Sequence, residues 1–128
     1  MNKEEYLKKL DELNLDKNMY CIISGGVMLM HNLKETTQDI DIKVKPEYFN
    51  ELEKRFNIKK SPKYDYLYEL SDEIEVAKLD FNEDEVEYID GYPIELLEIE
   101  LDWKIKNNRE KDQEAIKVIK KYLSTKNR

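Results

Sequence analysis

A mixed β-sheet flanked by helices, an α+β arrangement with further helices toward the C-terminus, is the architecture that three patterns in this sequence predict. In KEEYLKKLDELN the apolar residues Tyr6, Leu7, Leu10 and Leu13 recur at spacings of three and four, the stripe of an amphipathic helix. Met19 to Ile23 (MYCII) is a short continuous apolar run suited to a strand covered on both faces. QDIDIKV alternates polar with apolar residues, the period of a half-buried strand.

The elements follow in order. The first helix is expected to end near Asn14, where the apolar stripe stops. After the Met19 to Ile23 strand, Ser24, Gly25 and Gly26 form a turn, and GVMLMHNL reads as a helix starting there. Past the QDIDIKV strand, Pro46 suits the first turn of a helix that carries Tyr48, Phe49, Leu52 and Phe56 inward. Tyr66 to Leu70, Ile74 to Phe81 and Glu85 to Tyr92 are strand-like, with turns at NEDE (Asn82 to Glu85) and at Asp90-Gly91. From Pro93 onward the pattern returns to helix, ending in a stripe of Ala115, Ile116, Ile119 and Leu123.

With 128 residues, 40% of them hydrophobic, residues 1–128 are expected to form a single domain with a modest core. The 22 basic and 29 acidic side chains leave a net charge of −7. Such a chain gains little from counterion release, so general coating of nucleic acid is disfavoured, while a local basic patch could still hold one RNA end. Cys21 is the one cysteine and lies in an apolar run, so a buried thiol and a reducing, cytoplasmic setting are expected. The charged start, MNKEEYLKKLDEL, does not resemble a signal peptide, and no apolar run approaches the roughly 18 residues of a membrane helix. A soluble protein with no membrane partner is the expectation.

The segment from Ser24 to Val44 carries the chemistry. Gly25 and Gly26 free the backbone for a tight turn or a close approach to a ligand, and their place at a strand-to-helix junction suggests a phosphate contact. In the strand beyond, Asp39, Asp41 and Lys43 share one face, and Ile40, Ile42 and Val44 the other. Two carboxylates side by side raise each other's pKa unless a cation neutralises them. Mg²⁺, hard and oxygen-seeking, does so while also binding substrate phosphates. A solvated strand face shared with Lys43 and Lys45 would account for the aspartates equally simply. His31 has no partner at metal-ligand spacing and reads as a packed or capping side chain. The tyrosines of Tyr64-Asp65-Tyr66-Leu67-Tyr68 could stack a base, but core edge is the default.

The Ser24-Gly25-Gly26 turn, the helix after it and the Thr37-Gln38-Asp39-Ile40-Asp41-Ile42 strand resemble the signature of the DNA polymerase β-like nucleotidyltransferase superfamily. The likeness is strongest to its minimal bacterial branch, which includes the toxin nucleotidyltransferases of abortive-infection systems and small resistance-type adenylyltransferases. Leu96 to Ile116 (LLEIELDWKIKNNREKDQEAI) is similar to that branch too, with Lys104 ahead of Arg109, Lys111 and Asp112. The resemblance implies a nucleotidyltransferase-like sheet and a transfer of a nucleoside monophosphate from a nucleoside triphosphate to a hydroxyl of a small molecule, protein or RNA end. It implies a third carboxylate on a neighbouring strand, so that three acids hold two Mg²⁺ ions. Glu75 and Asp80 compete for that place. An odd separation on one strand points them to opposite faces, and Glu75, early in its strand, is preferred.

On this resemblance Asp39, Asp41 and Glu75 are the catalytic and metal-binding residues, and Ser24, Gly25, Gly26, Lys104 and Arg109 the nucleotide-binding ones. Lys104, Arg109, Lys111 and Asp112 could equally be exposed helix pairs of small energetic value. An antitoxin or a second copy of the chain is the implied protein partner. The competing function is a catalytically degenerate fold kept as a nucleotide-binding or protein-interaction module.

Overall fold

The computed structural model describes residues 1–126. Helix α1 (Lys3–Glu12) opens on a capping box: Asn2 accepts from the Glu5 amide while the Glu5 carboxylate accepts from the Asn2 amide. It buries Tyr6 and Leu10 and is followed by Asn14 at φ 50°, which turns the chain away. Strand β1 (Tyr20–Ile22) is buried along its length, as the apolar run predicts. Helix α2 (Gly25–Met30), strand β2 (Ile40–Val44) and helix α3 (Pro46–Arg55) follow, with Pro46 in the first turn of α3 and Phe49 and Leu52 buried.

The middle of the chain is β-rich: β3 (Lys59–Lys60), β4 (Leu67–Glu69), β5 (Ile74–Lys78), β6 (Val86–Ile89) and β7 (Tyr92–Glu95). Asn82 to Glu85 forms a capped single-turn 3₁₀ helix. Asp90 and Gly91 both have positive φ, 54° and 86°, and close a two-residue hairpin on the pair Ile89 and Tyr92. Helix was expected from Pro93. Instead Pro93 lies inside β7, and α4 (Leu97–Asn107) starts four residues later. The hairpin turn fixes this by laying Tyr92 to Glu95 back along β6. The pairing of β1 with β7 is at Ile22 and Ile94, so the missing N–H of Pro93 falls outside it. A short 3₁₀ turn then leads into α5 (Gln113–Lys126).

Among the described residues seven strands form one sheet in the order β3-β4-β5-β2-β1-β7-β6. The pairs β2/β5 and β1/β7 are parallel and the others antiparallel. Alternation along β2 sends Ile40, Ile42 and Val44 into an apolar core with Tyr6 and Leu10 of α1, Phe49 and Leu52 of α3, Val76 of β5 and Ile119 of α5. The opposite face of β2 carries Asp41 and Lys43. Cys21 is buried, as expected, and burial pushes its thiol up to about 12. His31, capping the end of α2, packs edge-on against Tyr122 with Nε2 2.9 Å from a Glu87 oxygen, so it is a packed side chain. Among the described residues no helix is long and apolar enough to cross a membrane.

Candidate active site

One cleft of about 1130 Å³ lies over the polar face of the sheet, between the α2 turn, the β3–β4 loop and the C-terminal helices. Its floor is set by strand register. In the parallel pair β2/β5, Asp41 stands opposite Glu75 and Lys43 opposite Ala77, so the two carboxylates share one face. Asp39 lies one residue before β2, exposed, on the same rim. Asp80 lies beyond the end of β5, where its carboxylate accepts from the Phe81 amide, and it does not line the cleft. Of the two acids in competition, the sheet brings Glu75 to the aspartates and leaves Asp80 outside.

The electrostatics follow from this crowding. Burial, then the charges of Glu75 and Asp39, push Asp41 up to about 7. Glu75 Oε1 is 3.3 Å from the Lys63 ammonium, while its other oxygen, Oε2, is buried without a hydrogen-bond partner. The hydrogen bond to Glu75 holds Lys63 above the ordinary lysine range. Deeper in, Lys43 and Glu95 form a partly buried ion pair. Burial works to lower Lys43, but its bond to Glu95 outweighs burial and the ammonium is held high. Asp41, Asp39 and the Oε2 of Glu75 would be the oxygen donors for a divalent cation at this rim. Among the described residues no three Asp, Glu, His or Cys side chains form a ready cage. Mg²⁺ does not require one, because it binds through one or two carboxylates and completes its shell with waters and substrate phosphates. An unpartnered buried carboxylate oxygen next to an acid that resists ionising is a donor set that fits such an ion.

The glycine turn is built differently from expectation. Ser24 takes φ 58° and ψ −135°, a region that costs an L residue about 1–3 kcal/mol. It is held there because its amide donates to Glu100 Oε2 at 3.2 Å and its carbonyl accepts from Val27 at 3.0 Å. Gly25 borders the cleft, and a Cβ there would meet Thr37 Oγ1 at 2.7 Å. Gly26 is buried and does not line the cleft. A Cβ there would run into Tyr6 Oη and, at 2.5 Å, Ile22 Cγ2. Packing of α2 on the core therefore requires a glycine there, whatever its backbone contacts.

The C-terminal segment does fold back to the turn. Lys104 is buried between Glu100 at 3.5 Å and Asp112 at 3.4 Å, so its charge is already matched by two carboxylates. Arg109 Nε donates to Asp112 at 2.6 Å and its guanidinium lies 4.6 Å from the Trp103 ring centre. Burial tends to raise Asp112, but the bond from Arg109 and the charge of Lys104 outweigh it and hold the carboxyl below the usual range. Lys104 therefore ties α4 to the turn through Glu100. Arg109, one-third exposed at its side chain, lines the cleft, and so does the more deeply buried Lys104. Lys111 also lines it.

Glu100, Glu95 and Lys63 were not singled out in the sequence. Glu100 and Lys104 have the four-residue spacing of a helix pair, a signal that was available. Glu95 would have followed from recognising β7. Lys63 sits in a loop, and no periodicity points to it.

No protein-family model matches the chain, and no curated protein matches it in sequence. Solved structures do. A candidate nucleotidyltransferase from Thermotoga maritima superposes with a TM-score of 0.63 at 16% identity, over 98% of this chain and 96% of that one. ANT(2″)-Ia, solved in complex with adenylyl-2″-tobramycin, superposes with a TM-score of 0.64 at 16% identity, over 97% of this chain and 88% of that one. This seven-stranded mixed sheet with its C-terminal helices has the fold of these nucleotidyltransferase structures.

Proposed function

We propose that the chain is a Mg²⁺-dependent nucleotidyltransferase that moves a nucleoside monophosphate from a nucleoside triphosphate onto a hydroxyl acceptor. The observation that carries this reading is the register of β2 against β5, which puts Asp41 and Glu75 side by side, next to Asp39, on the floor of a cleft bordered by Gly25 and Arg109. Asp39, Asp41 and Glu75 would hold the metal, which supplies Lewis-acid polarisation of the phosphates and of the acceptor oxygen when bound. The rest falls to the chain. The Gly25 backbone leaves room for the phosphate tail, Arg109 and Lys111 face the charge that develops as pyrophosphate departs, and Glu100 keeps Ser24 in its strained turn. Lys43, neutralised by Glu95, fixes the sheet beneath the aspartates.

Within this reading the finer use is toxin-like, with an antitoxin or a second copy of the chain as partner. Its support is the sequence resemblance of the Ser24 and Leu96 segments alone. One observation favours the non-catalytic module: the Lys63 ammonium already neutralises part of Glu75.

Isothermal titration with ATP, CTP, GTP and UTP, with and without Mg²⁺, separates the two. Catalytic use requires binding that depends on Mg²⁺ and is lost in Asp39→Ala plus Asp41→Ala. Binding that survives EDTA and that double variant favours the module.

A further inference from the structure

Beyond Glu75, on the side of the sheet away from the glycine turn, the β3–β4 loop forms a wall of the cleft that the transfer chemistry above does not use. Residues 59–66 carry Lys59, Lys60 and Lys63 against Asp65, with Glu69 of β4 opposite Lys59, in a chain whose net charge is −7. The rings of Tyr64 and Tyr66 are stacked, with centres 5.4 Å apart and planes 12° from parallel, and Tyr64 is 42% exposed where it lines the cleft.

The loop is preorganised. Buried Ser61 donates its amide to Leu67 at 3.0 Å, and its Oγ accepts from the Lys63 amide at 3.2 Å. The Lys60 ammonium donates to the carbonyls of Ser61 and Tyr64. An exposed aromatic face backed by a second ring, with the Lys63 ammonium on the same cleft wall, is an arrangement that holds an unpaired base and its phosphodiester.

We propose that this loop is the acceptor subsite and that the acceptor is the 3′-hydroxyl end of a single-stranded nucleic acid; this rests on the nucleotidyltransferase reading of the cleft. The terminal base stacks on Tyr64, and Lys63 faces the last phosphodiester. Lys63 leaves Glu75 for that phosphate, which frees Glu75 Oε1 beside the unpartnered Oε2. The 3′ oxygen bonds to the α-phosphorus as the bond to pyrophosphate breaks, and the hydroxyl proton passes to water. The patch is small, so a short strand end binds without the chain coating long nucleic acid.

Fluorescence anisotropy with short 5′-labelled single-stranded RNA and DNA, alongside calorimetry with Mg²⁺ and nucleoside triphosphate, tests this. Tyr64→Ala is expected to weaken oligonucleotide binding about tenfold, the effect of one lost stacked base, with triphosphate binding kept. Tyr64→Phe should restore the affinity. Lys63→Gln should flatten its salt dependence. Tyr88→Ala, on an exposed tyrosine outside the cleft, should change neither measurement.

The proposal is overturned if the unaltered protein binds neither oligonucleotide, if Tyr64→Ala binds them unchanged, or if Tyr64→Ala loses the triphosphate as well, which would give the stack to the incoming nucleotide. Oligonucleotide binding without any triphosphate binding would instead sink the nucleotidyltransferase reading and leave the loop as a binding site.

Discussion

Asp41 and Glu75 stand directly opposite one another across the parallel β2/β5 pair, and burial together with Glu75 and Asp39 pushes Asp41 up to about 7. Two acids on adjacent strands in a half-buried cleft repel, and the fold tolerates this where a hydrophobic pair would be more stable. Repulsion of that kind is what a bound cation would relieve.

Stability should therefore depend on pH through Asp41. Its folded pKa is above its unfolded value of 3.8, so the folded state holds the proton more tightly, and stability is lost as pH rises from about 4 through 7. Asp41→Asn removes that loss. Urea unfolding should show the variant more stable than the parent by about 1–3 kcal/mol at pH 8, with the gap closing toward pH 4. Mg²⁺ should raise the parent's midpoint at pH 8 and leave that of Asp41→Asn nearly unchanged.

Gly26→Ala should destabilise by about 1–3 kcal/mol, because the added methyl meets Tyr6 Oη and Ile22 Cγ2 in a packed core. The Tyr6 hydroxyl is buried without a partner, so Tyr6→Phe alone should be close to neutral. Combined with Gly26→Ala it should recover part of the loss. A double-mutant cycle by denaturant unfolding reads the coupling, and strict additivity would mean that the two side chains do not meet.

Glu100→Ala leaves buried Lys104 with Asp112 alone and the Ser24 amide without its acceptor. The expected loss is about 3–5 kcal/mol, with Glu100→Gln milder because it still accepts from Ser24. Thermal unfolding of the two variants side by side checks the order.

Much of this was legible in the residues. The alternation of QDIDIKV gave β2 and the face shared by Asp41 and Lys43, and Asp90-Gly91 gave the hairpin turn. Pairing was not legible. A period of two says which residues share a face of one strand but not which strand lies next to it, so only the β2/β5 register shows Glu75, the acid preferred over Asp80, standing beside Asp41. The same limit hid β7: four residues with a proline at the second place carry too short a pattern to outweigh the helical run that follows. Gly26 and Lys104 show a further limit. A glycine next to a ligand turn and a lysine on a polar helix look like contacts in sequence, and only packing shows that Tyr6 fills the space at one and that two carboxylates surround the other.

Transfer of label from α-³²P nucleoside triphosphates, measured in a cell extract with Mg²⁺ for the parent, Glu75→Gln and Asp80→Asn, tests the central claim most directly. The expected result is a loss on the order of 100-fold or more in Glu75→Gln, the scale of removing a group that stabilises developing charge, with Asp80→Asn close to the parent. Full transfer by Glu75→Gln, or its loss in Asp80→Asn alone, would contradict the pairing of Asp41 with Glu75 as the reacting centre.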